Sequence, residues 1–207
     1  MASGFSITVL ISGGGTTLRN LIELRQRGEL EVEIRGVISS SPKAAGNQFA
    51  IEANIPLVVL PRQQFPSDEQ LSHAIFEACR ESGTDLVVAG GFLRRLVVPN
   101  EFENRVINIH PSLIPAFSGQ GYYGMRVHES VIENGCKLSG CTVHFVDNEY
   151  DHGPIIAQRS IDVLPIDSPQ SLQQRVFAEE CKLYPAVIHQ IAAGQVRVVD
   201  RTVQIRE

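Results

Sequence analysis

"FSITVLISGGGTTLRNLIELRQRG", residues 5–28, sets an apolar run, a glycine turn and an amphipathic stretch end to end. Residues 5–12 are largely apolar and rich in β-branched side chains, so they read as a buried strand. Gly13, Gly14, Gly15, Thr16 and Thr17 read as a turn, and "LRNLIELRQ" as a helix that Gly28 ends. The same alternation continues outward. Residues 31–39 predict a second strand, 42–54 a helix, 56–60 a third strand, and 67–82 a helix with Ser67 as its N-cap. Residues 85–91 and 105–110 are further short apolar runs. Strands that alternate with helices imply right-handed βαβ units. The expected fold is therefore α/β and Rossmann-like, a mostly parallel sheet with helices on both faces.

The second half departs from that rhythm. Residues 139–146 and 153–163 read as two long strands joined by the polar loop "DNEYDH". A last helix opens at Ser168 with Pro169 in its first turn, and Pro185 is expected to break or kink it.

The 207 residues are 43% hydrophobic and 20% charged, enough apolar material for one globular domain with its own core. A net charge of -5 argues against a nucleic-acid partner, which a basic excess would favour. The opening "MASGFSITVLIS" has no basic segment and only a short apolar run, so neither a signal peptide nor a membrane span is expected. Cys79, Cys136, Cys141 and Cys181 show no CxxC pairing and read as small buried hydrophobes in a reducing, cytoplasmic setting.

Three clusters carry chemistry. In a parallel sheet, ligands bind beyond the carboxyl ends of the strands. "SGGGTT", "GGFLRR" and "NIHPS" all follow strands, so they should converge on one sheet edge. Asn108 and His110, two apart on one strand, face the same side about 6.5–7 Å apart at Cα. The glycine loop suits an anion at a helix N-terminus; a tight turn with an N-cap threonine is the plainer reading. In "CTVHFVDNEYDHGP", Thr142 and His144 share a face, and Asp147, Glu149 and Asp151 crowd the loop beyond. A histidine beside a carboxylate is the usual acid–base arrangement, and a solvated acidic turn is the alternative. Last, Leu172, Val176, Leu183 and Val187 form an apolar helical stripe into which Glu180 falls. An inward glutamate needs a partner, either a structural ion pair such as Arg175 or a ligand. His110, His128, His144 and His152 lack zinc-type spacing, so catalysis without a metal is expected.

Taken in order, "SGGGTTL", "GGFLRRL", "NIHPSLIPAFSG", "GCTVHFVDNEYDHGPII" and "AEECKLYP" resemble the phosphoribosylglycinamide formyltransferase family over nearly the whole chain. The resemblance implies transfer of the formyl group of 10-formyltetrahydrofolate to the amine of glycinamide ribonucleotide, in purine biosynthesis. It implies a catalytic trio of Asn108, His110 and Asp151, with His144 supporting it and Pro111 shaping the pocket. Gly13, Gly14, Gly15, Thr16, Thr17 and Glu180 would contact the ribonucleotide. Leu93, Arg94, Arg95, Leu96, Asn108, Val146, Asn148, Glu149, Tyr150 and Asp151 would line the folate pocket. Residues 1–107 would be the phosphate-binding half and 108–207 the folate and catalytic half of a single domain.

In the implied reaction the amine attacks the formyl carbon, Asn108 and a protonated His110 donate to the oxyanion, and Asp151 supports the imidazolium. The partners would be these two small molecules, with no metal, no nucleic acid and no membrane, in a monomer or homodimer. A formyltransferase acting on another amine, such as a sugar nucleotide, and a non-catalytic nucleotide- or folate-binding module remain alternatives. The chain departs from the family at "GGGTT", where many relatives read closer to "GNGSN", at the longer segment 118–131, and at Arg95, which makes the folate edge basic.

Overall fold

The computed structural model describes residues 4–206 and divides into two compact units between Asn108 and Ile109. The strand order of the main sheet is β3-β2-β1-β4-β5-β6-β7 once its elements are numbered along the chain.

The first unit holds β1 (Ser6–Ile11), α1 (Thr16–Gln26), β2 (Glu33–Ser39), α2 (Asn47–Glu52), β3 (Leu57–Val59), α3 (Asp68–Glu81) and β4 (Leu86–Ala89). Strand β5 (Val106–His110) runs out of it. These five strands pair in parallel. Strand β1 is buried along its whole length, which apolar residues alone do not explain, since Ser6 and Thr8 are polar. Both are satisfied. Ser6 N–H donates to Asp85 Oδ2 at 2.8 Å, the Ser6 hydroxyl to the Gly83 carbonyl at 2.8 Å, and Thr8 bonds Thr84 at 2.5 Å. Buried polar groups with partners add little strain to a core. Helix α1 buries Leu18, Leu21 and Ile22, the stripe that a 3.6-residue period requires. Ser67 caps α3 as expected, accepting from Gln70 N–H at 3.3 Å.

The helix expected over 42–54 is shorter than its sequence suggested. It starts only at Asn47, with Gly46 as N-cap, because Gly46 is held against the glycine loop described below.

Sheet order reverses between β1 and β4: β2 and β3 lie on one side, β5 on the other. Such a reversal leaves a crevice beyond the carboxyl ends of the two strands, where open α/β sheets bind ligands.

The second unit holds α4 (Met125–Glu133), β6 (Leu138–Phe145), β7 (Ile155–Asp162), α5 (Pro169–Ala192), β8 (Val196–Val199) and β9 (Thr202–Ile205). Strands β6 and β7 form the expected antiparallel pair. Ser168 caps α5 reciprocally with Ser171, and Pro169 occupies the first turn. Pro185 does not break this helix, which continues to Ala192. Pro185 is itself buried, as are Leu183, Tyr184, Val187 and Ile188 of the same helix. Helix α4 and the β8–β9 hairpin had no counterpart in the sequence reading. Cys79 and Cys141 are buried free thiols as expected, while Cys136 and Cys181 are only half-buried. Among the described residues, no helix is long and apolar enough to cross a membrane.

Candidate active site

The glycine loop is built by backbone contact. Gly15 is left-handed, with φ 69°, and serves as the N-cap of α1 without any side-chain cap bond. The N-cap threonine of the plainer reading is therefore replaced by a glycine. A Cβ on Gly15 would stand 2.5 Å from Gly46 Cα, and Gly46 N–H donates to the Gly13 carbonyl at 3.0 Å. Gly13 and Gly14 are different: both are exposed, and a Cβ on either would meet nothing within 4 Å. Gly15 thus holds the loop, while Gly13 and Gly14 leave the space in front of it open. Thr16 is exposed and Thr17 half-buried at the start of α1.

The loop after β4 comes to the same edge. Leu93 N–H donates to Ser12 Oγ at 3.0 Å, and Ser12 Oγ also receives the Ser40 hydroxyl at 2.7 Å. A Cβ on Gly90 would lie 3.2 Å from Thr17 Cβ. Two of the three converging loops are therefore in contact, and the third begins on β5, where Asn108 pairs with Ala89 of β4. Leu93, Arg94 and Arg95 are exposed there, and Leu96 is buried. Arg95 lies close enough to Glu69 of α3 to contribute to the lowering of that carboxyl.

In the second unit His110 is buried, and its Nε2 lies 2.8 Å from the Phe117 carbonyl. A carbonyl only accepts, so Nε2 carries the hydrogen. The other nitrogen, Nδ1, stands 3.4 Å from Asp151 Oδ2. His144, also buried, has the opposite arrangement. Its Nδ1 donates to the Phe145 carbonyl at 2.8 Å, and its Nε2 stands 3.6 Å from Asp151 Oδ1. Gly119 N–H completes the carboxylate's surroundings, donating to Oδ2 at 2.9 Å. Asp151 therefore lies between two imidazoles and a backbone donor, and it adopts φ 52°, a left-handed conformation that aspartate tolerates better than most residues.

The electrostatics follow from this packing. Burial works to raise the Asp151 carboxyl, but the bonds and charges of His144, His110 and Gly119 outweigh it and hold it below its ordinary value. Burial lowers His110, and the opposing pull of Asp151 and of the Phe117 carbonyl does not restore it. The ring is thereby held below its ordinary value, on the side of its neutral form.

The other acids of "DNEYDH" behave otherwise. Asp147 pairs with His152 at 2.8 Å, and Asn148, Glu149 and Tyr150 are exposed. Val146 and Pro111 are half-buried. Only Asp151 turns inward from this loop, so a solvated acidic turn describes its neighbours and not Asp151 itself.

Glu180 sits half-buried on the α5 stripe, and Arg175 does not answer it, because Arg175 pairs with Asp167 at 2.7 Å. Among the described residues no hydrogen bond or ion pair reaches Glu180, and burial pushes its carboxyl up to about 7. The structural ion pair is removed as an explanation.

Sequence reasoning missed the groups with no side-chain signature: the Phe117 carbonyl, with Phe117 at φ 50°, and the Gly119 N–H. It named His128 only in setting aside a zinc site. That ring is buried in α4 with Nδ1 lacking a partner among the described residues, and burial, with His110 adding to it, lowers the ring to about 4.

The model of the family described as formyl transferase matches residues 5–188. The chain belongs to the formyl transferase family. The phosphoribosylglycinamide formyltransferase of Haemophilus influenzae is 34% identical over 196 residues, covering 94% of this chain and 90% of that protein. The chloroplastic phosphoribosylglycinamide formyltransferase of Arabidopsis thaliana is 36% identical over 194 residues, or 92% of this chain. This formyl transferase chain spans 66% of that plant relative's length, just under two thirds. Among solved structures, glycinamide ribonucleotide transformylase 1 of Symbiobacterium toebii aligns with a TM-score of 0.92 at 35% identity, covering 100% of this chain and 96% of that one.

Proposed function

We propose that this formyl transferase moves the formyl group of 10-formyltetrahydrofolate to the primary amine of glycinamide ribonucleotide, giving formylglycinamide ribonucleotide and tetrahydrofolate in purine biosynthesis. The observation that carries the reading is the His110–Asp151 pair, buried on an "NIHPS" strand end in a chain so similar to enzymes named for this reaction.

The proton economy follows from the tautomer. His110 Nε2 is committed to Phe117, so Nδ1 is the nitrogen that exchanges a proton. The amine attacks the formyl carbon, and a C–N bond forms as the carbonyl oxygen becomes an oxyanion. The Asn108 side-chain N–H donates to that oxyanion. A proton of the attacking nitrogen passes to neutral His110, and Asp151 stabilises the resulting imidazolium. Collapse breaks the bond from the formyl carbon to N10, and N10 takes that proton as tetrahydrofolate leaves. His110 returns to its starting state.

On the ribonucleotide, the N–H groups at the start of α1 and the open Gly13–Gly14 backbone suit the phosphate. Glu180 suits hydroxyl or amine hydrogens, and its lack of a protein partner supports that role. The exposed Leu93, Arg94 and Arg95 and the segment 146–151 are assigned to the folate. We assign residues 1–107 to phosphate binding and 108–207 to folate and catalysis.

The test is turnover of 10-formyltetrahydrofolate by the purified chain with glycinamide ribonucleotide, without it, and with a sugar-nucleotide amine. Turnover with the ribonucleotide alone supports the proposal. Turnover only with the other amine, or loss of formyl to water at the same rate without any amine, overturns it.

A further inference from the structure

The hairpin after α5 reaches the loop that carries Asp151. Gly194, left-handed at φ 68°, ends α5, and the chain turns at once into β8. Strands β8 and β9 pair antiparallel with Val199 opposite Thr202, so Asp200 and Arg201 form a two-residue turn. Arg206 N–H donates to the Gln195 carbonyl at 2.9 Å and closes the open end beside the helix. The tip is therefore carried on a short, fully paired ribbon fixed to a 24-residue helix.

From that tip the Arg201 guanidinium Nη2 donates to the His152 carbonyl at 2.6 Å. His152 follows Asp151 directly, and its own ring is held by Asp147 at 2.8 Å. Asp147 in turn accepts from Glu149 N–H at 2.9 Å. Beyond the loop, Gly153 is fixed by close approach, since a Cβ there would stand 1.9 Å from the Phe145 carbonyl oxygen. The peptide after Asp151 is thus gripped from outside by Arg201 and at its base by Gly153. Asp151 itself has a left-handed backbone, a conformation that persists where its surroundings hold it.

We propose that Arg201 is a positioning residue for formyl transfer: from the hairpin tip it holds the His152 carbonyl and so keeps the Asp151 carboxylate against His110. The inference rests on the catalytic role proposed for Asp151. Arg201 acts in this proposal through the His152 carbonyl and not on a reactant. Its effect is confined to where Asp151 sits, and a small displacement of a catalytic group can cost far more in rate than in binding.

The experiment uses the full chain as Arg201→Ala and Arg201→Lys. The first readout needs no substrate: titration of the His110 ring by NMR. Losing the clamp moves Asp151 away, so the midpoint for His110 should fall below that of the wild type in Arg201→Ala. The second is kinetic: kcat should drop about tenfold while KM for glycinamide ribonucleotide stays within about twofold. Arg201→Lys keeps a charged donor and should return both readouts toward wild type. An unchanged His110 titration in Arg201→Ala, or no recovery in Arg201→Lys, overturns the clamp. If the titration shifts as expected but the wild type transfers no formyl group, the clamp stands and the proposed function falls.

Discussion

Replacing Glu180 by Gln should make the unliganded protein more stable, and only above acidic pH. The carboxyl is half-buried on an apolar stripe with no donor or cation among the described residues, so ionising it removes charge from water without compensation. Burial raises it from 4.5 to about 7. At roughly 1.4 kcal/mol per pH unit, that gap bounds the destabilisation at about 3 kcal/mol once Glu180 is fully charged. Solvent reaching a half-buried group lowers the figure, so about 1–3 kcal/mol is the expected range. The sign follows from linkage. The folded pKa lies above the unfolded one, so the wild type keeps its full stability below about 4.5 and loses this part as pH rises through about 7. Glutamine imitates the neutral acid at every pH. The two proteins should match near pH 4.5, diverge through pH 7 and run parallel beyond it. Urea denaturation of both across that range measures the difference directly, because other titrating groups cancel. A constant difference, or a glutamine variant less stable at pH 8, would refute the reasoning and return Glu180 to a paired structural role.

Asn108→Ala should lower kcat on the order of 10²-fold with little change in either KM, since an oxyanion donor acts mainly in the transition state; near-normal turnover in a steady-state assay removes it from the mechanism. Gly14→Ala should raise KM for glycinamide ribonucleotide without changing the melting temperature, because its Cβ enters open space. Gly15→Val should instead lower the melting temperature, because its Cβ would stand 2.5 Å from Gly46 Cα; the reverse pattern in melting and kinetic data contradicts this division of the loop. His128 is lowered to about 4, so its contribution to stability is full above about 6.5 and lost as pH falls through 4. His128→Phe should therefore flatten the acid limb of stability against pH, and an unaltered limb on denaturation would exclude the buried ring as its source.

Strands β1 to β5 were legible because each is a short apolar run in a chain whose helices carry their own stop and start signals. Ser67 before α3 and Ser168-Pro169 before α5 both act as written. Helix α4 was illegible behind "GQGYYG", although Val127, His128 and Val131 do recur at helical spacing. The β8–β9 hairpin is too short and too exposed to give a clear alternation. Residue identity pointed to Asn108, His110 and Glu180 as chemically unusual and left Asp151 one of three loop acids; the family resemblance picked out Asp151 and supplied the expected roles. What holds them is backbone: the Phe117 carbonyl, the Gly119 N–H and the Gly15–Gly46 approach depend on dihedral angles that no single side chain announces. Pro185 is the opposite case, a breaking signal inside a helix that nonetheless runs on to Ala192.

The central claim is that Asp151 serves the proton carried by His110, and turnover of Asp151→Asn with both substrates saturating tests it most directly. The asparagine keeps the size and the Gly119 bond but not the charge beside His110. A folded variant that still binds both ligands should lose about 10³-fold or more in kcat. A variant that keeps a tenth or more of wild-type turnover, with the same melting temperature, would contradict the claim and leave Asp151 as part of an acidic turn.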